Sequence, residues 1–86
     1  MNKMLLKFSA ISQNEAFART SVAAFLLPLA PTLSQINDIK TAVSEAVTNA
    51  VVHAYPNRIG DVELSCWYDV DEVHIIVKDY GVGIDN

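Results

Sequence analysis

Glu45, Asn49 and His53 recur at four-residue spacing, and Asp79-Tyr80-Gly81-Val82-Gly83 follows about twenty-five residues later. A carboxylate, an amide and an imidazole on one side of a helix can converge on a ligand. Four residues advance a helix by roughly 400°, so the three side chains drift about 40° per step and share a face. An Asp and two glycines at the end of a strand place an acceptor beside backbone that can approach a ligand closely. Each residue also has a plain structural reading. Glu45 could be solvated helix surface, and His53 could complement the helix dipole near a C-terminus. Asp79-x-Gly81-x-Gly83 could be a tight turn. Asn49 is the harder one to dismiss, because asparagine is mildly unfavourable inside a helix.

The elements that must carry these residues are legible from periodicity. Met4 to Ala10 alternates as a strand, with Met4, Leu6 and Phe8 on one side. Ser12-Gln13-Asn14-Glu15 has the spacing of a capping box and opens a first helix running from about Gln13 to Leu27, stopped by Pro28. Thr32-x-x-Gln35 offers a weaker box for a second helix that extends to about Tyr55. Its apolar stripe is Ile36, Val43, Val47, Ala50 and Ala54, opposite Glu45, Asn49 and His53. Pro56 to Gly60 is a turn, and Asp61 to Tyr68 alternates with Val62, Leu64, Cys66 and Tyr68 inward. After a turn at Asp69 to Glu72, Val73 to Lys78 is a last strand with Val73, Ile75 and Val77 inward. Asp79 continues that inward series, so its carboxylate is expected on the core side, where it would need a hydrogen-bonding partner.

Composition bounds the function. The chain has 86 residues, 51% of them apolar and 8% aromatic, which predicts one small folded domain with no repeat or linker. Net charge is −4 with no run of Lys or Arg, so direct nucleic-acid binding is not expected. A single cysteine, Cys66, excludes an internal disulfide and reads as a small buried hydrophobe. The apolar stretch Ala23 to Ala30 is short and broken by Pro28, so neither a membrane span nor a signal peptide is predicted, and the expected location is cytoplasmic.

Glu45-x3-Asn49-x3-His53 followed by Asp79-x-Gly81-x-Gly83 resembles the N box and first glycine box of the Bergerat ATPase fold. That fold is shared by gyrase B, the heat-shock protein of ninety kilodaltons, sensor histidine kinases and mismatch-repair ATPases. A finer likeness covers essentially the whole chain. Phe8-Ser-Ala, Asn14-Glu, Phe17-Ala-Arg19, Val22-Ala-Ala-Phe25, Ile39-Lys-Thr-Ala-Val-Ser-Glu-Ala-Val-Thr-Asn49 and Gly81-Val-Gly-Ile84 resemble the sporulation members of the bacterial anti-sigma factor kinases. Two departures stand out. Ala54 occupies a position usually filled by glycine, and the second glycine-rich box and ATP lid are absent from residues 1–86. The expected fold is therefore α+β, a two-layer α/β sandwich of β-α-α-β-β order. It would be the N-terminal portion of a single histidine kinase-like ATPase domain, and the front part of something longer.

The resemblance implies a cytoplasmic, homodimeric anti-sigma factor from a spore-forming bacterium. It would hold a sigma factor away from RNA polymerase and phosphorylate a serine on its anti-anti-sigma partner, using ATP and Mg²⁺. On that reading Glu45 is the general base, or orients the serine hydroxyl, and Asn49 coordinates Mg²⁺ while helping to bind nucleotide. Asp79 accepts from the adenine amino group, Gly81 and Gly83 let the backbone pass close to base and ribose, and His53 lines the phosphate end. Arg19 is the candidate partner contact, on a first-helix side that also carries Glu15, Val22 and Leu26, with Phe17, Thr20, Ala24 and Leu27 opposite. The plain alternative is an ordinary Glu15–Arg19 pair with Val22 and Leu26 packed inside. Two other functional readings are a catalytically silent partner-binding module and the ATPase domain of a sensor histidine kinase. Residues 1–86 alone are expected to be inactive as a kinase.

Overall fold

The computed structural model describes residues 1–55 and 59–80. The 56–58 part of the expected turn and the glycine segment, Gly81 and Gly83 included, lie outside the described residues. The elements are β1 (Asn2–Ser9), α1 (Gln13–Phe25), a 3-10 turn (Leu27–Leu29), α2 (Leu33–Asn49), a π turn (Ala50–Ala54), β2 (Asp61–Tyr68) and β3 (Val73–Asp79). The α+β class and the β-α-α-β-β order are those expected. β1 lies about two residues earlier than its alternation suggested, and α1 ends two residues sooner, where the chain tightens into the turn containing Pro28.

The sheet is antiparallel throughout, in the order β1-β2-β3. Met4, Leu6 and Phe8 pair with Cys66, Leu64 and Val62, which in turn pair with Ile75, Val77 and Asp79. Residues paired across a ladder share a face, so one face is apolar by sequence and the two helices cover it. Val22, Leu26, Val43, Val47, Val62 and Leu64 are each at most 2% exposed and form the centre of the core. Burying each stabilises the fold by about 1.5–3 kcal/mol. Cys66 is fully buried there, and burial pushes its thiol pKa up, which makes it inert packing.

Two helix starts with the same sequence pattern behave differently. The Thr32/Gln35 box forms completely: Gln35 N–H donates to Thr32 Oγ1 at 3.1 Å, and Thr32 N–H to Gln35 Oε1 at 2.9 Å. The expected Ser12/Glu15 box does not form. Ser12 has helical dihedrals and no side-chain cap, and Glu15 turns across to α2. The Asn14 side chain instead donates to the Ser9 carbonyl at 2.9 Å and fixes the β1–α1 corner.

α1 also settles the question of its two sides. Val22 and Leu26 are core residues, at 0% and 1% exposed, so they cannot form an open surface around Arg19. The apolar residues left outside are on the opposite side: Phe17 is half exposed and Leu27 more so.

Candidate functional site

Helical periodicity does what the spacing demanded. Glu45, Asn49 and His53 are all exposed, while Val43, Val47, Ala50 and Ala54 are buried beneath them. The helix changes character at Asn49, where α2 passes into the π turn Ala50–Ala54. Consecutive β-branched Val51 and Val52 weaken the α-helix locally, and single π turns of this kind are found at functional sites. The wider turn keeps both Ala50 and Ala54 buried and leaves His53 outside. Only that valine pair hints at it in the sequence.

Asp79 is the last residue of β3 and pairs with Val62, so it lies on the helix-covered face, as its parity required. It is nevertheless exposed, which corrects the expectation of a core-side carboxylate. The reason is topological. Among the described strands β3 is an edge, and Asp79 forms its final pair. The desolvation cost of its charge is correspondingly small.

One side chain ties the two clusters together, and it was not singled out from sequence. Tyr55 directly follows the π turn and is buried. Its hydroxyl donates to the Asp61 carbonyl at 2.7 Å and accepts from the Tyr80 N–H at 2.8 Å. The end of α2 and the end of β3 thus lie at the same end of the sandwich. The axial order along α2 and the π turn, Glu45 then Asn49 then His53, runs toward the strand end that carries Asp79. A shallow groove of about 220 Å³ runs between the same two elements, lined by Ala42, Val43, Ala46, Ile75 and Val77.

Arg19, on α1, is fastened rather than free. Its guanidinium donates to Glu15 Oε2, and the same oxygen accepts from Ser44 Oγ at 2.6 Å. The Ser44 hydroxyl, followed by the Arg19 guanidinium, holds the Glu15 carboxyl below its ordinary pKa. Arg19, Asn37, Lys40, Thr41, Ser44 and Glu45 line an open groove of about 330 Å³, so Arg19 and Glu45 face one space. Among the described residues no three His, Cys, Asp or Glu side chains gather as a metal cage. The exposed Asn49 amide oxygen suits instead a hard cation that keeps several waters and takes other ligands from phosphate. None of the described helices is long and apolar enough to cross a membrane.

Residues 8–86 match the histidine kinase-like ATPase domain. The chain is 54% identical over 86 residues to the anti-sigma F factor of Clostridium beijerinckii, covering 99% of this chain and 60% of that protein. It is 52% identical over 86 residues to the anti-sigma F factor of Anoxybacillus flavithermus and 53% identical over 85 residues to that of Caldanaerobacter subterraneus. Both alignments cover 99% of this chain and 59% of the relative. The chain thus spans about three-fifths of the length of the relatives it matches.

Proposed function

The chain belongs to the histidine kinase-like ATPase domain family, and from that premise we propose that it is the nucleotide-binding part of an anti-sigma factor. This factor inhibits a sporulation sigma factor, acts as a homodimer in the cytoplasm, and phosphorylates a serine of its anti-anti-sigma partner with ATP. What supports the reading is the shared end of the fold at which the polar face of α2 meets the end of β3, through Tyr55. An adenine held at Asp79 puts its phosphates along α2, toward Asn49 and Glu45.

In this reading Asp79 accepts a hydrogen bond from the adenine amino group, and Gly81 and Gly83 supply backbone that lies close to base and ribose. Asn49 presents its amide oxygen to Mg²⁺, which neutralises phosphate charge when bound. Glu45 takes the proton of the substrate serine as its oxygen bonds to the γ-phosphorus and the bond to ADP breaks. Arg19, beside Glu45 in the same groove, contacts the partner that carries the serine. His53 lies two residues from Tyr55, so the axial order favours the base end for it over the phosphate end.

The test is Glu45→Ala in a version of the protein extended to the length of the relatives. ATP binding is expected to persist while phosphorylation of the anti-anti-sigma partner is lost. Normal transfer by the variant would remove Glu45 from the chemistry. Failure of the unsubstituted extended protein to transfer phosphate would instead favour a silent partner-binding module.

A further inference from the structure

We propose that Tyr55 is a positioning residue for base recognition: its hydroxyl opens the β2–β3 ladder at its end and so sets the direction in which Asp79 faces the base. The inference rests on the reading of Asp79 as the acceptor for the adenine amino group. Continued by one step, the register that pairs Val62 with Asp79 would set Tyr80 against Asp61. Facing pairs of an antiparallel ladder alternate between bonded and non-bonded. Gly60 accepts from the Ala10 N–H toward β1, so Asp61, one residue on, turns its backbone groups toward β3, where a regular ladder would bond Asp61 and Tyr80 directly. Here the Tyr80 N–H goes to Tyr55 Oη at 2.8 Å, and that hydroxyl passes its own hydrogen to the Asp61 carbonyl at 2.7 Å. The hydroxyl uses its donor once and an acceptor lone pair once. One oxygen inserted between two strands holds them further apart than a direct bond would, and it does so immediately after Asp79.

The surroundings are shaped to this ring. Gly60, next to Asp61, has no side chain, and a Cβ there would lie 2.1 Å from Tyr55 Cε1. Tyr80 is held from the open face of the sheet as well. Its phenol hydrogen-bonds to Glu63, which raises the Tyr80 pKa, and the Lys78 ammonium sits 5.2 Å from the centre of its ring. The residue after Asp79 is therefore fixed through its backbone from the helix layer and through its side chain from the opposite face. Asp79 itself is fixed between the Val62 pair and this anchored amide.

A carboxylate held in one direction distinguishes a base with an amino donor at its six-position from one with a carbonyl there. Calorimetric binding of Mg-ATP and Mg-ITP to the extended protein and its Tyr55→Phe variant reads this directly. Phenylalanine keeps the ring and removes only the hydroxyl. ATP affinity is expected to fall about three- to tenfold, as for one lost neutral hydrogen bond, with ITP affinity within about twofold, so the preference for ATP shrinks. An equal loss for both nucleotides, or an unchanged preference, overturns the proposal and leaves the Asp79 assignment standing. An unsubstituted protein that does not prefer ATP overturns both. Should Tyr55→Phe fail to fold, hydrogen exchange in the unsubstituted protein decides: a Tyr80 amide protected beyond the end of the ladder supports the wedge, and an unprotected one overturns it.

Discussion

Replacing Gly60 by alanine would drive a methyl group into the Tyr55 ring. The new carbon would lie 2.1 Å from Cε1, 2.2 Å from Cζ and 2.5 Å from Cδ1. Carbon atoms in contact normally stand about 3.5–4.0 Å apart, so the ring must retreat by more than about 1 Å. It cannot do so freely, because it is buried and tied at 2.7 and 2.8 Å to Asp61 and Tyr80. Losing those two hydrogen bonds costs about 0.5–1.5 kcal/mol each, and the overpacking itself about 1–3 kcal/mol. These terms overlap, which leaves an expected destabilisation of about 2–4 kcal/mol, a large part of a small domain's stability. Urea unfolding of the extended protein, followed by far-ultraviolet circular dichroism, measures it. A double-mutant cycle isolates the cause: in a Tyr55→Ala background, Gly60→Ala should cost less than about 1 kcal/mol, since nothing remains to collide with. The same cost in both backgrounds would refute the argument.

Asp79→Asn should weaken ATP binding by about 1.5–3 kcal/mol, because an ionised acceptor facing an amino group becomes partly a donor; unchanged affinity in a titration removes Asp79 from base recognition. The depressed pKa of Glu15 gives a signed pH dependence. The stabilisation it supplies is complete above its ordinary value of 4.5 and is lost as pH falls through the lower folded value. Glu15→Gln should therefore flatten the acid limb of the stability curve below about pH 4.5, and an acid limb identical to that of the unsubstituted protein would contradict the Ser44–Glu15–Arg19 contact. Residues 1–86 alone, incubated with Mg-ATP and an anti-anti-sigma partner, are expected to give no serine phosphorylation; stoichiometric transfer would show that the described site needs nothing more.

How far the sequence carried the fold can be judged from residues whose patterns are alike. Thr32-x-x-Gln35 and Ser12-x-x-Glu15 both have capping-box spacing, yet only the first closes. Local pattern decides at Gln35, whose side chain closes back on the Thr32 amide. At Glu15 a tertiary offer wins, from Ser44 on α2 and from Arg19 one turn along. Asp79 divides in the same way. Strict alternation gave its face correctly, through the Val62 pair, but burial depends on what covers an edge, and no period encodes that. Glu45, Asn49 and His53 were readable because four-residue spacing on a helix is geometry in itself. Tyr55 was not, because its role needs Gly60, Asp61 and Tyr80 together, and the strand register that gathers them is a long-range property.

The turn joining β2 to β3 bears on the order in which this chain assembles. Asp69 accepts from the amides of both Asp71 and Glu72, at 3.0 and 3.1 Å, so four residues close that hairpin with their own hydrogen bonds. β1 reaches the same central strand only after about fifty intervening residues have been laid out as two helices, a closure with a larger entropic cost. The strand that ends at Asp79 thus belongs to the most local part of the sheet and can form first, on the microsecond scale of hairpins. Tyr55 reaches Tyr80 only when the helical layer docks. Substitutions in the Asp69 turn should accordingly slow folding, whereas those at Tyr55 should chiefly speed unfolding. The edge that would meet the nucleotide is built early and aimed late.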